Sequence, residues 1–197
     1  VWDQRLLTCL DGDLFESIRD GKVNIETATI QNCTANGLLL EDGKTLNADL
    51  IVTATGLKLQ IGGSIRVEVD GSHCDLSERF MWKGMMLQGI PNAFFALGYL
   101  TSASWTMGTD LTALFACRLI RHMRGKKRLA ATPHMHELSD LTECPLWNLM
   151  STYMTTARSN LPKAGTFGPW KPRSNYLRDY VHASYGSFEG LEFAEAS

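Results

Sequence analysis

Gly98 carries the most chemical information in this sequence, because it closes the apolar run Ala93-Phe94-Phe95-Ala96-Leu97 and leads into Thr101, Ser102 and Ser104. A helix starting near Ser102 presents unpaired N–H groups and about half a positive charge, which suits an anion or an electron-rich ring. Gly98, without a side chain, lets a ligand approach the backbone. An ordinary β-loop-α unit with a capped helix has the same residues. His134 and His136, with Glu137 and Cys144, have metal-ligating side chains but no further ligand at useful spacing, so no metal site is expected. The basic run Arg121 to Arg128 sits where a helix should end, and its cations complement the helix dipole there. Asp110 falls on the polar side of the same helix. Lys171, Arg173 and the pair Arg178-Asp179 have the charge to meet a nucleotide phosphate, although surface pairing is the simpler account. Trp105, Trp170 and Tyr176 are packing aromatics or channel walls.

The elements that must position these residues follow from periodicity. Leu14, Phe15 and Ile18 repeat at helical spacing between Asp11/Asp13 and Gly21, which predicts a helix over 13–20. Val23–Thr27 is β-branched and alternating, and Ile30–Thr34 and Gly37–Glu41 flank Ala35-Asn36, so a small antiparallel meander is expected. Asp49 to Ala54 is apolar on successive residues and stops at Thr55-Gly56, the pattern of a strand covered on both faces. Ala93–Leu97 predicts a second buried strand, and a hairpin should turn at Asp70-Gly71 between them. Trp105, Leu111, Leu114, Phe115 and Leu119 form one stripe of a helix over about 102–123, ended by Gly125. Pro145 should open a helix reaching Leu161, and residues 163–170 should be an irregular arm before a short helix at 175–180.

Composition bounds the function classes. A chain of 197 residues, 44% hydrophobic, can bury one good core, and 19 basic against 21 acidic residues give no field to collect nucleic acid or an anionic membrane. A small-molecule partner is therefore expected. The five cysteines are scattered and never form C-x-x-C, which argues against a disulfide framework or zinc cage and for a reducing, cytoplasmic setting. The apolar region 84–120 is interrupted by Pro91, Asn92 and Asp110, so no transmembrane span is expected. The opening Val1-Trp2-Asp3-Gln4-Arg5 has neither an initiator Met nor a signal-peptide pattern, and is expected to be a cut.

Several spaced motifs then resemble one family. Asp49-Leu50-Ile51-Val52-Thr53-Ala54-Thr55-Gly56 resembles the return from the nucleotide domain to the FAD domain in class B flavoprotein monooxygenases. Lys83-Gly84-Met85-Met86-Leu87, Gly89-Ile90-Pro91-Asn92, Gly98-Tyr99, Ala103-Ser104-Trp105-Thr106 and Asn175-Tyr176-Leu177-Arg178-Asp179 are similar to the ethionamide-activating branch. Trp2-Asp3-Gln4-Arg5-Leu6 and Asp11-Gly12-Asp13-Leu14-Phe15 extend the likeness over nearly the whole chain.

The resemblance implies the C-terminal portion of an α/β fold with two dinucleotide-binding domains and small antiparallel meanders. Residues 1–56 would end the NADPH-binding domain and 57–197 would be the C-terminal part of the FAD-binding domain, with a surface arm at 163–197. It implies an enzyme in which NADPH reduces FAD and the reduced flavin takes up O2, the resulting flavin (hydro)peroxide oxygenating a ketone or a soft sulfur or nitrogen. The cofactor-binding residues implied are Thr55, Gly56, Gly98, Tyr99, Ser102, Ala103, Ser104 and Trp105; no catalytic residue is indicated. Two departures matter. The sequence contains no G-x-G-x-x-G, so the chain alone is expected to be inactive and to need a missing N-terminal part or to self-associate. One extra residue stands between Gly98 and Trp105, so the flavin-facing loop must bulge or shift. The alternative is a non-catalytic folded module or a degenerate fragment acting, if at all, through protein binding.

Overall fold

The computed structural model describes residues 9–98, 104–135 and 141–195, and the chain divides into two compact units, one formed by residues 6–57 and the other by 58–197. In the smaller unit, helix α1 runs Asp13–Arg19, with Gly12 as its N-cap in the left-handed region and no side-chain cap, so neither Asp11 nor Asp13 takes that role. Gly21, at φ 71°, reverses the chain after the helix, as its lack of a side chain permits. Strands β1 (Ile30–Thr34), β2 (Gly37–Leu40) and β3 (Thr45–Asn47) form an antiparallel meander in the order β1-β2-β3. The expected strand at Val23–Thr27 is irregular instead.

Residues 49–56 are the main correction to the sequence reading. They form no strand, and Leu50, Ile51 and Val52 are 80%, 42% and 78% exposed. A run apolar on both faces becomes a strand only where neighbours cover both faces and pair its backbone. Among the described residues no strand pairs with it.

The larger unit holds the cores. Hairpin β4 (Val67–Val69)/β5 (Ser72–Cys74) turns at Asp70 and Gly71, both at positive φ, as the sequence predicts. The short hairpin β6 (Met81–Trp82)/β7 (Met86–Leu87) follows, and all four of its residues are buried. Residues 93–98 run as irregular, half-buried chain where a fully buried strand was expected; Phe95 bonds the Met85 carbonyl through its amide.

Helix α2 (Trp105–Gly125) buries Leu111, Phe115, Leu119 and Met123, a stripe at three- and four-residue spacing. Trp105 and Leu114, read as part of that stripe, lie largely outside it. The chain leaves the helix through Lys127, at positive φ, so Gly125 is its last helical residue and not its terminator. Strand β8 (Arg128–Pro133) comes next, then β9 (Glu143–Pro145), so Pro145 closes a strand where a helix was expected to open. The helix in that region is only α3 (Thr152–Ala157), extended by a 3-10 turn to Asn160. β10 (Lys163–Gly165) pairs with β9, helix α4 spans Tyr176–Tyr185, and β11 (Leu191–Glu195) returns to pair antiparallel with β8.

The principal core lies where α2, the β6/β7 hairpin, α4 and β8/β11 meet. Phe115 is fully buried and packs its ring against Trp82, Phe94 and Phe188 at centroid separations of 5.4, 6.5 and 5.8 Å. Such tilted aromatic contacts each add about 0.5–1.5 kcal/mol beyond simple burial. The Trp82 indole N–H donates to the Glu189 carbonyl at 3.2 Å, which ties the hairpin to the turn before β11.

Candidate functional site

The start of α2 is built by a close approach of backbone to backbone. A Cβ placed on Gly98 would lie 2.3 Å from the Trp105 carbonyl oxygen and 2.5 Å from its indole, and one on Gly108 would lie 2.8 Å from the Gly98 Cα. The two glycines therefore let residues 97–98 press against the first turns of the helix. The Trp105 backbone and indole pack directly beside Gly98.

A cation locks this seam. Arg173, in the arm between Trp170 and α4, donates to the Lys83 carbonyl (3.2 Å), the Leu97 carbonyl (3.1 Å), the Gly108 carbonyl (2.9 Å) and the Thr112 hydroxyl (2.9 Å). One planar fork thus joins the hairpin, the 93–98 segment and α2. Gly84, at φ 64°, stands where any side chain would strike the Arg173 stem. The sequence offered Arg173 for a phosphate, whereas its donors are committed to the protein's own oxygens. Nothing in its sequence neighbourhood announced this role, since its partners come from three distant segments.

Ser104 is the N-cap of α2, with φ −60° and ψ 142°; its hydroxyl meets that of Thr106 at 3.0 Å and caps no backbone N–H. No acidic residue stands in the first turn, and Trp105 is 41% exposed. Among the described residues, then, no side chain caps the helix start and no acidic group of its first turn offsets the dipole, and a flat indole is accessible beside it, which is chemistry that suits an electron-rich planar group. Gly98, Ser104 and Trp105 are brought together here. Thr55 and Gly56 are exposed and lie in the smaller unit, and Tyr99, Ser102 and Ala103 lie outside the described residues, as does Thr101.

The remaining candidates have structural neighbours. His134 Nδ1 lies 3.3 Å from a Glu192 carboxylate oxygen across the β8/β11 pair, and His136 and Glu137 lie outside the described residues. Burial, with help from Glu143, raises the Cys144 thiol pKa. Arg128 pairs with Glu195, and His122 and Arg124 occupy the last turn of α2 as the dipole favours. Asp110 is exposed on α2, while Trp170 is buried in the principal core. No helix among the described residues is long and apolar enough to cross a membrane.

Comparison with known proteins identifies the class. No family model and no solved structure matches the chain. Curated relatives do, and the chain is homologous to a C-terminal part of the FAD-containing monooxygenases. The particular relatives include the FAD-containing monooxygenase EthA of Mycobacterium tuberculosis, 42% identical over 196 residues, which are 98% of this chain and 40% of that protein. EthA of Mycolicibacterium smegmatis is 38% identical over the same length, covering 39% of its own chain. AlmA of an Acinetobacter species, whose name is that of a FAD-binding monooxygenase, is 38% identical over 194 residues, 98% of this chain and 39% of its own. The chain thus spans about 40% of the length of the curated relatives it matches.

Proposed function

We propose that this chain is the C-terminal part of an FAD- and NADPH-dependent monooxygenase of the Baeyer–Villiger type, which inserts one oxygen atom from O2 into a ketone or a soft heteroatom. The observation that carries this reading is the likeness to FAD-containing monooxygenases over 98% of the chain. The start of α2, with no acidic residue in its first turn, supports it. Residues 57–197 are assigned to the FAD-binding domain and 1–56 to the end of the NADPH-binding domain.

FAD, when bound, supplies the redox and oxygen chemistry. The chain contributes orientation and electrostatics. The N-terminus of α2, with Ser104 at its cap, is assigned to the edge of the isoalloxazine where negative charge gathers on reduction, so its dipole favours the reduced state. The Trp105 indole offers an apolar face beside it, and Tyr99, Ser102 and Ala103 keep the cofactor-binding assignment that the resemblance implies. Thr55-Gly56, at the end of the irregular 49–56 segment, keeps the cofactor-binding assignment that the resemblance implies. The Gly98–Gly108 seam and Arg173 hold the helix start in place, and Gly98 keeps the cofactor-binding assignment that the resemblance implies.

The test is spectroscopic. The 197-residue chain, mixed with FAD and then freed of unbound FAD by gel filtration, should emerge colourless and consume no NADPH, because it has no Gly-rich loop to hold a pyrophosphate. A longer form with such loops N-terminal to Val1 should be yellow and oxidise NADPH. In that form Ser104→Pro should slow flavin reduction more than it weakens NADPH binding. The Ser104 φ of −60° already suits proline, so the replacement removes one N–H without forcing the backbone. Stoichiometric FAD on the 197-residue chain would overturn its expected inactivity, and unchanged flavin reduction in the variant would overturn the role of α2.

A further inference from the structure

A cavity of about 380 Å³ opens between Lys83, the 168–173 arm and α4, and Arg173, which bonds the first turns of α2, forms part of its wall. Its volume falls in the range of small-molecule sites. Met85, Pro169 and Pro172 give it an apolar wall, while Lys83, Lys171, Arg178 and His182 bring positive or protonatable groups to the same space. Asp179 and Glu189 oppose them. The cations are not equivalent. Arg173 spends its guanidinium on three carbonyls and the Thr112 hydroxyl. Arg178 donates to the Ser174 hydroxyl at 3.0 Å and lies 3.7 Å from the Asp179 carboxylate.

The donors offered to a ligand are therefore the two lysine ammonium groups. Lys83 is held in place by its bond to the Ser187 carbonyl at 2.6 Å and by the face of Trp82, 4.7 Å from its nitrogen. That bond uses one of its three N–H groups, and the other two remain to be directed. A lysine is a point charge with no planar preference, so it suits a tetrahedral oxyanion. A carboxylate gains most from an arginine fork, and both forks here are committed.

We propose that this cavity binds a small phosphate monoester with an apolar organic group, the phosphate on Lys83 and Lys171 and the organic group against Met85, Pro169 and Pro172. The proposal does not depend on the flavin assignment. The electrostatics agree: burial, with repulsion from Arg118, holds the Lys83 amine at about 8, against the attraction of Glu189. An anion seated there would raise it. The charges that act on Lys83 are Arg118 and Glu189, and the other charged or protonatable groups lining the cavity are Lys171, Arg173, Arg178, Asp179 and His182.

The test is calorimetric titration of the 197-residue chain with phenyl phosphate, inorganic phosphate, benzoate and benzyl alcohol. Phenyl phosphate should bind most tightly, and Lys83→Met and Lys171→Gln should each weaken it roughly tenfold, the usual loss for one charge-assisted bond. Lys171 is exposed, so its variant tests the site even if Lys83→Met perturbs the fold. Lys126→Gln, at the far end of α2, should change nothing. Titration of the Lys83 Cε resonance should show its pKa rising when phenyl phosphate is added. Equal binding of phenyl phosphate and benzyl alcohol, unchanged affinity in Lys171→Gln, or a Lys83 titration unmoved by the ligand would overturn the proposal; benzoate binding as tightly would overturn its phosphate preference.

Discussion

Arg173 and Lys83 show how differently two half-buried cations act on the wall of one cavity. Arg173 makes four hydrogen bonds to fixed protein oxygens, so Arg173→Met should destabilise the larger unit by about 2–4 kcal/mol, because buried acceptors lose charged donors. Arg173→Lys should recover only part of this, since a single ammonium cannot span the fork, and urea unfolding of the three proteins checks both statements. Lys83 instead loses by being charged. Its amine is held at about 8 against an ordinary 10.5, chiefly by burial. The unfolded chain then binds the proton more tightly than the folded one between those values, so stability rises with pH across that window, and below it the whole penalty is present. Lys83→Met should therefore gain on the parent most at about neutral pH and lose that gain as pH rises through the window, which urea melts at several pH values would show. Neither role is readable from the sequence. Lys83 lies in a stretch quoted for family resemblance and Arg173 in one read as an irregular arm, and what makes each special is the company of segments far away along the chain.

Among the elements, those specified by local chemistry were legible. Asp70-Gly71 supplies the two positive φ angles of a tight hairpin turn, and β4 and β5 flank it as expected; Leu111, Phe115 and Leu119 fix the buried face of α2 by spacing alone. Elements that depend on partners were not. The 49–54 run and the 93–97 run have strand composition, yet the first is exposed and the second is half-buried irregular chain, because an apolar run does not say which strand will pair with it. The β8/β11 pairing was missed for the converse reason: its strands are distant in sequence, and β8 begins at the end of a basic run that reads as a helix terminus. At the candidate site the helix start was legible and the glycine seam was not. Gly98→Ala should cost at least about 1–3 kcal/mol, because the added methyl meets the backbone and indole of Trp105 and something must move. Gly108→Ala should cost less, since the gain of about 1 kcal/mol in helix propensity offsets part of the clash with Gly98. Thermal melts of both variants, with near-ultraviolet circular dichroism of Trp105 as the local reporter, separate the two.

For the whole molecule, the division of buried apolar side chains between the units sets the order of failure. All three hydrophobic clusters lie in residues 58–197, whereas Leu40 is the fully buried apolar side chain of the smaller unit among the described residues. The smaller unit should open at lower denaturant and be cut first by protease within 49–57, where apolar side chains are exposed on irregular chain. Mass spectrometry of a limited digest should then show a resistant piece beginning near Lys58; initial cutting within α2 would contradict this. The Arg173 fork has a further consequence, for the order in which the molecule is completed during synthesis. Its donors bind the Gly108 carbonyl 65 residues earlier in the chain, so α2 leaves the ribosome with the 97–98 seam unfastened. At about 5–20 residues per second the clasp arrives roughly 3–13 s later. Through that interval the nascent helix must rely on its own propensity and the hairpin before it, and a chaperone that shields Phe115 until Arg173 emerges would find its binding window set by translation speed.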